Sequence, residues 1–190
     1  MYSGIVRTVK LTPPVSDEEV IPLRIGDKVL INGTIFTARD AAHKRIFDLL
    51  DRHEQLPFDV KGQIIYYTGP TPPRPGRIIG AAGPTTGYRM DPFTPRLLEL
   101  GLKATIGKGY QRQPVIDAIK KYKAVYLMGI GGTGALLSKK IKSVKILAFE
   151  DLGPEAIMEM QVEDFPTIVA NDTEGNDLFR KGIERYAIPP

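Results

Sequence analysis

A strand, a glycine-rich loop, a helix and a second strand follow one another in residues 123–151 (KAVYLMGIGGTGALLSKKIKSVKILAFED). Apolar runs at residues 5–11, 28–37 and 62–68 predict further strands earlier in the chain. A strand-rich beginning followed by alternating strands and helices is typical of an α/β domain with a mixed sheet. The chain is long enough to bury one sizeable core, and we therefore treat residues 1–190 as a single domain.

Several local signals refine this outline. Asn32-Gly33 lies between the runs KVL and TIFTA, a dipeptide that favours a hairpin between two strands. A helix is expected from Ala38 onward and a shorter one from Met90 to Leu100. The remaining expectations are a strand beginning at Ile78, a short helix over 152–160, two short strands within 165–179 and a tail over 180–190.

The composition excludes several kinds of site. The chain has no cysteine and only two histidines, which rules out disulfides and cysteine-held zinc or iron–sulfur centres supplied by this chain alone. The net charge is +4 without a block of basic residues, and so we expect no nucleic-acid partner. No apolar run is long enough to cross a membrane, and residues 1–14 lack the apolar segment typical of a signal peptide. We expect a cytoplasmic protein.

The richest candidate site lies between Gly80 and Gly109 (GAAGPTTGYRMDPFTPRLLELGLKATIGKG). Thr85 and Thr86 stand side by side in a glycine-flanked loop, where an ordinary turn or helix cap is the alternative reading. Arg89 follows three residues later, and Lys108 ends the next strand. Arg39 opens an earlier helix, where the dipole disfavours a cation and an anion would explain it. Three cations from such junctions suit a substrate with two carboxylates.

The loop from Gly129 to Gly134 satisfies the pattern GxGxxG after a strand and before a helix. Glu150 stands at the end of the following strand, where a ribose-binding acid would lie. A dinucleotide-binding module is therefore the alternative function. Close packing of the helix against the sheet explains the same small residues, and few further βαβ units follow the acid.

The motif GPTTGYRMDPFTPRLLELGLKATIGKG closely resembles the C-terminal, or beta-subunit, part of the iron–sulfur-dependent class I fumarases and the related L-tartrate dehydratases. Similar segments occur in the same order, and the resemblance covers residues from about 5 to 180; they are TARDAAHKR, GPTPPRPG, FEDLGPEAI, VEDFP and NDTEGNDLF. It implies a swivelling β/β/α domain. It also implies a hydro-lyase that interconverts fumarate and L-malate, with L-tartrate dehydratase as the alternative. The glycine-rich loop occurs in this family without binding a nucleotide.

The resemblance also implies roles for the site residues. Thr85 is the expected catalytic base, with Thr86 orienting or activating it, and Arg39, Arg89 and Lys108 are expected to bind the substrate carboxylates. A separate alpha subunit is expected to hold a [4Fe–4S] cluster through three cysteines. It is also expected to provide an aspartate that acts as the general acid. The expected assembly contains two alpha and two beta chains.

Overall fold

The computed structural model describes residues 6–188, and Ile5, which begins the first predicted strand, lies outside them together with the last two residues of the predicted tail. Seven strands occur in the described part: β1 Thr8–Leu11, β2 Lys28–Thr37, β3 Ile64–Tyr66, β4 Ala104–Gly107, β5 Val125–Met128, β6 Ile141–Ala148 and β7 Ile157–Asn171. Six α-helices accompany them: α1 Asp17–Val20, α2 Asp40–Asp51, α3 Thr94–Glu99, α4 Gln113–Tyr122, α5 Gly134–Ser138 and α6 Leu178–Tyr186.

The strands form a mixed sheet that closes on itself. Strands β2, β3, β4 and β5 lie side by side and parallel. Strand β7 runs antiparallel to both β5 and β2 and so joins the two ends of this row into a five-stranded barrel. Strand β1 extends the row beside β2, and β6 pairs with β7. The predicted α/β class with a mixed sheet is confirmed.

Two apolar clusters lie on opposite faces of the barrel wall. Successive side chains of a strand point to opposite faces, and in β3 Ile64 and Tyr66 belong to the cluster that fills the barrel. Ile65 and the following Tyr67 belong to the second cluster, between the wall and helices α2, α3 and α4. Strands buried on both faces explain the continuous apolar runs in the sequence, and the two walls with one helical layer agree with the implied β/β/α arrangement.

The hairpin expected at Asn32-Gly33 is wrong. Strand β2 runs unbroken through both residues, and the register against β7 shifts between Ile31 and Gly33. Gly33 has a φ of +96°, a backbone conformation that favours glycine. The dipeptide therefore makes a bulge within one long strand, which bends it along the barrel.

The expectations for the C-terminal part also need correction. Residues 157–160 are strand, because Ile157 and Met160 alternate into the two clusters, and only a 3₁₀ segment over Glu150–Glu155 precedes them. Helix α6 replaces the end of the second strand expected within 165–179 and continues into the expected tail as far as Tyr186. Asp177 caps this helix by accepting hydrogen bonds from two backbone N–H groups. No strand begins at Ile78.

The glycine loop does not form the βαβ unit of a dinucleotide fold. Strand β6 pairs with β7 and not with β5, and α5 has five residues. The loop glycines allow close packing instead: a Cβ on Gly134 would stand 2.9 Å from the backbone nitrogen of Gly83, and one on Gly129 would stand 3.2 Å from Pro84. The structure thus favours the packing explanation of the pattern. No helix within residues 6–188 has the length and apolar character needed to cross a membrane.

Candidate active site

The carboxyl ends of four parallel strands meet at one edge of the barrel. Strand β2 ends at Thr37, β3 at Tyr66, β4 at Gly107 and β5 at Met128. Arg39 follows the first of these strands, Lys108 follows the third and the glycine loop follows the fourth. Ligands of open α/β sheets bind at this type of edge, because loops converge there from several strands.

The two threonines are held at this edge by main-chain hydrogen bonds. The Thr85 N–H donates to the carbonyl of Tyr67 at 2.6 Å, and the Lys108 N–H donates to the carbonyl of Thr85 at 2.9 Å. Gly87 donates in turn to the carbonyl of Lys108 at 2.8 Å, and Thr86 and Lys108 form a parallel bridge. The segment 85–87 therefore lies as a short extra strand between the ends of β3 and β4, with Thr85 and Thr86 half-buried.

The glycines around this segment are required by side chains beneath it. A Cβ on Gly87 would stand 2.6 Å from both the Gln111 Nε2 and the Tyr126 hydroxyl oxygen. A Cβ on Gly107 would stand 2.9 Å from the same hydroxyl and 3.1 Å from the Thr85 carbonyl oxygen. Either contact is closer than a real Cβ tolerates, and so both positions need glycine for the threonine segment to lie this deep.

Arg89 lies on the 3₁₀ turn Gly87–Met90 that follows the threonines. Its Nε donates to Asp40 Oδ1 at 3.1 Å and its Nη2 stands 3.0 Å from Asp40 Oδ2, a two-point pairing of guanidinium and carboxylate. This pairing ties the threonine segment to the first residue of α2. It also fixes the plane of the guanidinium, and within residues 6–188 no carboxylate pairs with Nη1.

Arg39 precedes Asp40 and is three-quarters buried. Its Nη2 lies 3.4 Å from Glu155 Oε1, and its Nε lies 3.8 Å from Asp40 Oδ2. A Cβ on Gly69, just after β3, would stand 2.8 Å from the Arg39 Nη1, and so this glycine makes room for the guanidinium. Glu155 also accepts the Ala41 N–H at 3.0 Å, which caps the start of α2. The sequence predicted that an anion lies near Arg39. The structure places the carboxylates of Asp40 and Glu155 there.

Lys108 differs from the two arginines. Its side chain is exposed and makes no ion pair within residues 6–188. Its aliphatic part passes over the glycine loop, where a Cβ on Gly131 would stand 3.7 Å from the Lys108 Cδ. The main-chain bridge to Thr86 makes Lys108 a direct neighbour of the threonine pair.

His43 supports the site from below. It is completely buried against Tyr67 and Phe93, and its Nδ1 lies 2.8 Å from the Arg39 carbonyl, to which it donates. Burial is the main reason that its pKa falls from the usual 6.5 to about 4, although the bond to Arg39 works in the opposite direction. His43 is thus neutral at pH 7 and holds the first turn of α2.

Asp91, at the end of the 3₁₀ turn that follows the threonines, is a carboxyl group whose pKa is raised. Burial raises the pKa of Asp91 from 3.8 to about 6, while the Arg112 N–H at 3.3 Å and the Arg112 side chain oppose the rise. Nothing in the sequence indicated Asp91, Glu155, Gln111 or Tyr126. Asp40, beside Arg39 at the start of the helix, was expected mainly as a first-turn charge that complements the helix dipole and not as the partner of both arginines.

All five residues expected at the site therefore belong to one connected region at the carboxyl edge. Thr85, Thr86 and Lys108 share main-chain pairing, and Arg89 and Arg39 are linked through Asp40. Such an arrangement is chemically suited to a small anionic molecule, because it combines hydroxyl groups with cations. Within the described residues, no group of three or more His, Asp or Glu side chains is arranged to hold a metal ion.

Comparison with known proteins identifies the family of the chain. The family described as "Fumarase C-terminus" matches residues 3–182. "Fumarate hydratase 2" of Leishmania major is 42% identical over 161 residues, and "Fumarate hydratase class I, aerobic" of Salmonella typhimurium is 37% identical over 177 residues. These alignments cover 84% and 91% of this chain but only 28% and 30% of those proteins, so the chain spans less than a third of their length.

A third relative has nearly the same length as this chain. "Putative L(+)-tartrate dehydratase subunit beta" of Methanocaldococcus jannaschii is 38% identical over 170 residues, which make up 86% of this chain and 87% of that protein. The family match extends over most of the sequence, including the threonine segment and the three cations. The chain belongs to the fumarase C-terminus family.

Proposed function

We propose that this chain is the beta subunit of a two-subunit hydro-lyase that interconverts fumarate and L-malate. The observation that carries the proposal is the convergence of Thr85, Thr86, Arg39, Arg89 and Lys108 at one edge of the barrel. Adding water across the double bond of a dicarboxylate requires clamps for two carboxylates and a group that exchanges a proton with carbon. Membership of a family with fumarate hydratases supports the same class of reaction.

In this proposal Arg89 and Lys108 bind one end of the substrate and Arg39 the other. Asp40 fixes the plane of the Arg89 guanidinium, and Arg89 Nη1 then donates to a carboxylate oxygen of the substrate. Lys108 supplies a point charge. Arg39 is the most buried of the three cations, and its positive charge is partly balanced by Glu155. The clamps are thus oriented before the substrate arrives, which favours a reactive geometry.

Thr85 would take the proton from the substrate carbon in the direction of dehydration and return it during hydration. A threonine hydroxyl is a weak base, and a nearby positive charge stabilises its deprotonated form. In this proposal Lys108 supplies that charge, because its main chain is bridged to Thr86 and its side chain has no carboxylate partner among residues 6–188. Thr86 would orient Thr85 from the adjacent position.

The second subunit and its cofactor are part of the proposal. This chain has no cysteine and does not fit an iron–sulfur cluster. We propose that an alpha subunit holds a [4Fe–4S] cluster and contributes an aspartate as the general acid. We also propose that two alpha and two beta chains assemble in the cytoplasm. The name of the Methanocaldococcus jannaschii relative includes "subunit beta", which supports a partner chain.

The first experiment asks whether the chain needs a partner. The chain and the alpha subunit are purified separately without oxygen, the alpha subunit is loaded with iron and sulfide, and fumarate hydration is followed by loss of its ultraviolet absorbance. We expect activity from the mixture and none from either component. Hydration by this chain alone would contradict the division into two subunits.

The second experiment tests the site residues in the active complex. Thr85→Val should reduce kcat by about 100-fold or more with a small change in KM, because a proton-transfer group is removed. Arg89→Ala should reduce kcat and raise KM, because binding and orientation are both lost. Thr8→Val, which removes an exposed hydroxyl on strand β1, is the matched control. Unchanged kinetics in both site variants would refute the assignment.

L-tartrate dehydration is a second candidate, favoured by the relative that matches this chain over 87% of its own length. Tartrate differs from malate by one hydroxyl group, and a site that hydrogen-bonds this group discriminates strongly. Parallel measurement of kcat/KM for L-malate and L(+)-tartrate in the same complex decides between the two. A higher value for tartrate would replace the fumarate proposal with this one.

A further inference from the structure

A cavity of about 600 Å³ lies between the proline-rich loop, residues 69–81, and the junction of helix α5 with strand β6. We call it the basic cavity. None of the five residues of the candidate active site lines it, and neither does the loop from Gly129 to Gly134. Its volume is within the range of about 300–1,000 Å³ found for the sites of small ligands. The proline-rich loop, which has no part in the proposed reaction, thus forms one wall of a second candidate site.

Cations line the basic cavity without matching anions. They are Arg74 and Arg77 of the loop, Lys139 after α5 and Lys142 of β6, and no aspartate or glutamate of the described residues lines it. Lys142 pairs with Glu163 at 2.8 Å. The other three cations are exposed and make no ion pair within residues 6–188. A cleft of one charge sign raises the local concentration of oppositely charged ions.

Main-chain hydrogen bonds hold the two walls of the cavity together. The Thr71 N–H donates to the Ala81 carbonyl at 3.0 Å, and the Ala81 N–H donates to the Thr71 hydroxyl oxygen at 2.9 Å. The Ala82 N–H donates to the Gly134 carbonyl at 3.1 Å, which joins the loop to α5. Gly80 approaches Thr71 so closely that a Cβ on it would stand 2.2 Å from the Thr71 carbonyl oxygen. The base of the loop is therefore fixed beside α5.

The two arginines lie on a restricted backbone. Four prolines occur in residues 69–77, and the Arg77 N–H donates to the Arg74 carbonyl at 3.0 Å, which closes a turn between them. Proline limits the conformations of a free loop, so less entropy is lost when a ligand orders it. Both arginines thus lie on one wall of the cavity, and Lys139 lies on the other.

Isoleucines give the same cavity an apolar surface. Ile141 is 3% exposed and Ile79 packs against the cluster that fills the barrel, whereas Ile78 is 57% exposed. An exposed apolar side chain beside unpaired cations fits a ligand whose charged groups adjoin a less polar part.

We propose that the basic cavity binds a small molecule with a diphosphate or triphosphate group, held between Arg74, Arg77 and Lys139. A guanidinium donates two parallel hydrogen bonds to a phosphate, and a lysine adds a point charge. Two linked phosphates carry about three negative charges near pH 7, which matches the three unpaired cations. This inference is independent of the proposed hydro-lyase reaction.

The test is isothermal titration calorimetry of the full chain with sodium pyrophosphate, at about 0.15 M salt, where distant surface charges are screened. We expect one site per chain with a Kd below about 1 mM. Arg74→Ala/Arg77→Ala should weaken binding by about 10-fold or more, because both guanidinium–phosphate contacts are lost. Lys44→Ala/Lys120→Ala is the matched control, since it removes two exposed cations, on α2 and α4, that do not line the cavity. Its Kd should equal that of the wild type.

Two comparisons distinguish the kind of ligand and the place where it binds. Tighter binding of ADP than of pyrophosphate would show that the isoleucines contact the rest of a phosphate ester, and equal binding would show that free diphosphate is sufficient. Both results agree with the proposal. Succinate, a dicarboxylate suited to the cations of the candidate active site, should leave pyrophosphate binding unchanged.

Several results would overturn the inference. They are the absence of saturable binding, equal weakening in the two double variants, competition by succinate, and loss of the pyrophosphate site when the alpha subunit is added, which would assign the cavity to a subunit interface. Thermal midpoints of the variants should equal that of the wild type, because the substituted side chains are exposed. None of these measurements uses hydro-lyase activity, and so failure of this inference and failure of the proposed function are distinguishable.

Discussion

His43 gives a prediction whose size follows from its surroundings. The unfolded chain exposes an imidazole with a pKa near 6.5, whereas the buried ring in the folded chain has a pKa of about 4. The unfolded state therefore binds more protons between these values, and stability falls as the pH falls. One pKa unit corresponds to about 1.4 kcal/mol, and the full difference of the two pKa values makes the loss about 3 kcal/mol. Below about pH 4 both states carry the charge and no more is lost.

The assay is urea unfolding of this chain, followed by circular dichroism, at pH values from 4 to 7.5. In His43→Phe a ring of similar size keeps the contacts with Tyr67 and Phe93 but does not titrate, and the pH-dependent loss should disappear. Ile46→Val, in the same helix and fully buried, should lower stability by about 1 kcal/mol at every pH. Wild-type and His43→Phe curves that differ only by a constant offset would refute the reasoning.

Two further predictions concern the region under the threonines. The effect of Asp91 on the pH dependence of stability is opposite to that of His43. The pKa of Asp91 is about 6 in the folded chain and lower in the unfolded chain, so its ionisation lowers stability as the pH rises from about 4 to 6. Asp91→Asn should therefore add about 1 kcal/mol at pH 7.5 after allowance for solvent screening, and an unchanged urea midpoint would contradict this. Gly87→Ala should lower stability by about 1–3 kcal/mol, because its Cβ would meet Gln111 and Tyr126. A thermal midpoint equal to that of the wild type would contradict this, because the threonine segment would then accommodate the added methyl group without loss of stability.

The sequence predicted the elements whose apolar pattern agrees with their final position. Strands β3, β4 and β5 are buried on both faces, and their continuous apolar runs identified them correctly. The errors occur where a local signal has two structural solutions. Asn-Gly serves equally in a hairpin and in a bulge, and the choice in β2 depends on β7, more than 120 residues away. Residues 157–160 became strand because β2 and β6 pair with them on both sides.

The candidate site was predictable to the extent that its residues follow strands. Parallel strands bring their carboxyl ends together, and residues at these ends were therefore good candidates before any contact was known. The residues missed lie beneath the loops or pair with the cations. Glu155 follows β6 and reaches α2, and Gln111 and Tyr126 point under a glycine segment. Such relations arise from tertiary packing, and no spacing in the sequence encodes them.

The pairing of the cations bears on how the proposed site would take up a substrate. Arg89 and Arg39 already face Asp40 and Glu155, and a substrate carboxylate joining them must share cations that are partly neutralised. Lys108 has no such partner among residues 6–188, and its exposed ammonium group attracts an anion without displacing an internal carboxylate. In the proposed site, Lys108 would therefore be the first point of electrostatic attraction for the substrate, and the arginines would fix its orientation afterwards.

Asp40 has a second effect on the same site. Its carboxylate holds the Nε and Nη2 of Arg89 and restricts the guanidinium to one plane, so less side-chain entropy is lost when a substrate binds. The same charge repels the incoming carboxylate, which limits the affinity of the ground state. A site with oriented cations and moderate ground-state attraction leaves more of its interaction energy for the transition state. If the proposed function is right, the carboxylates beside the arginines would thus favour turnover over tight binding of substrate or product.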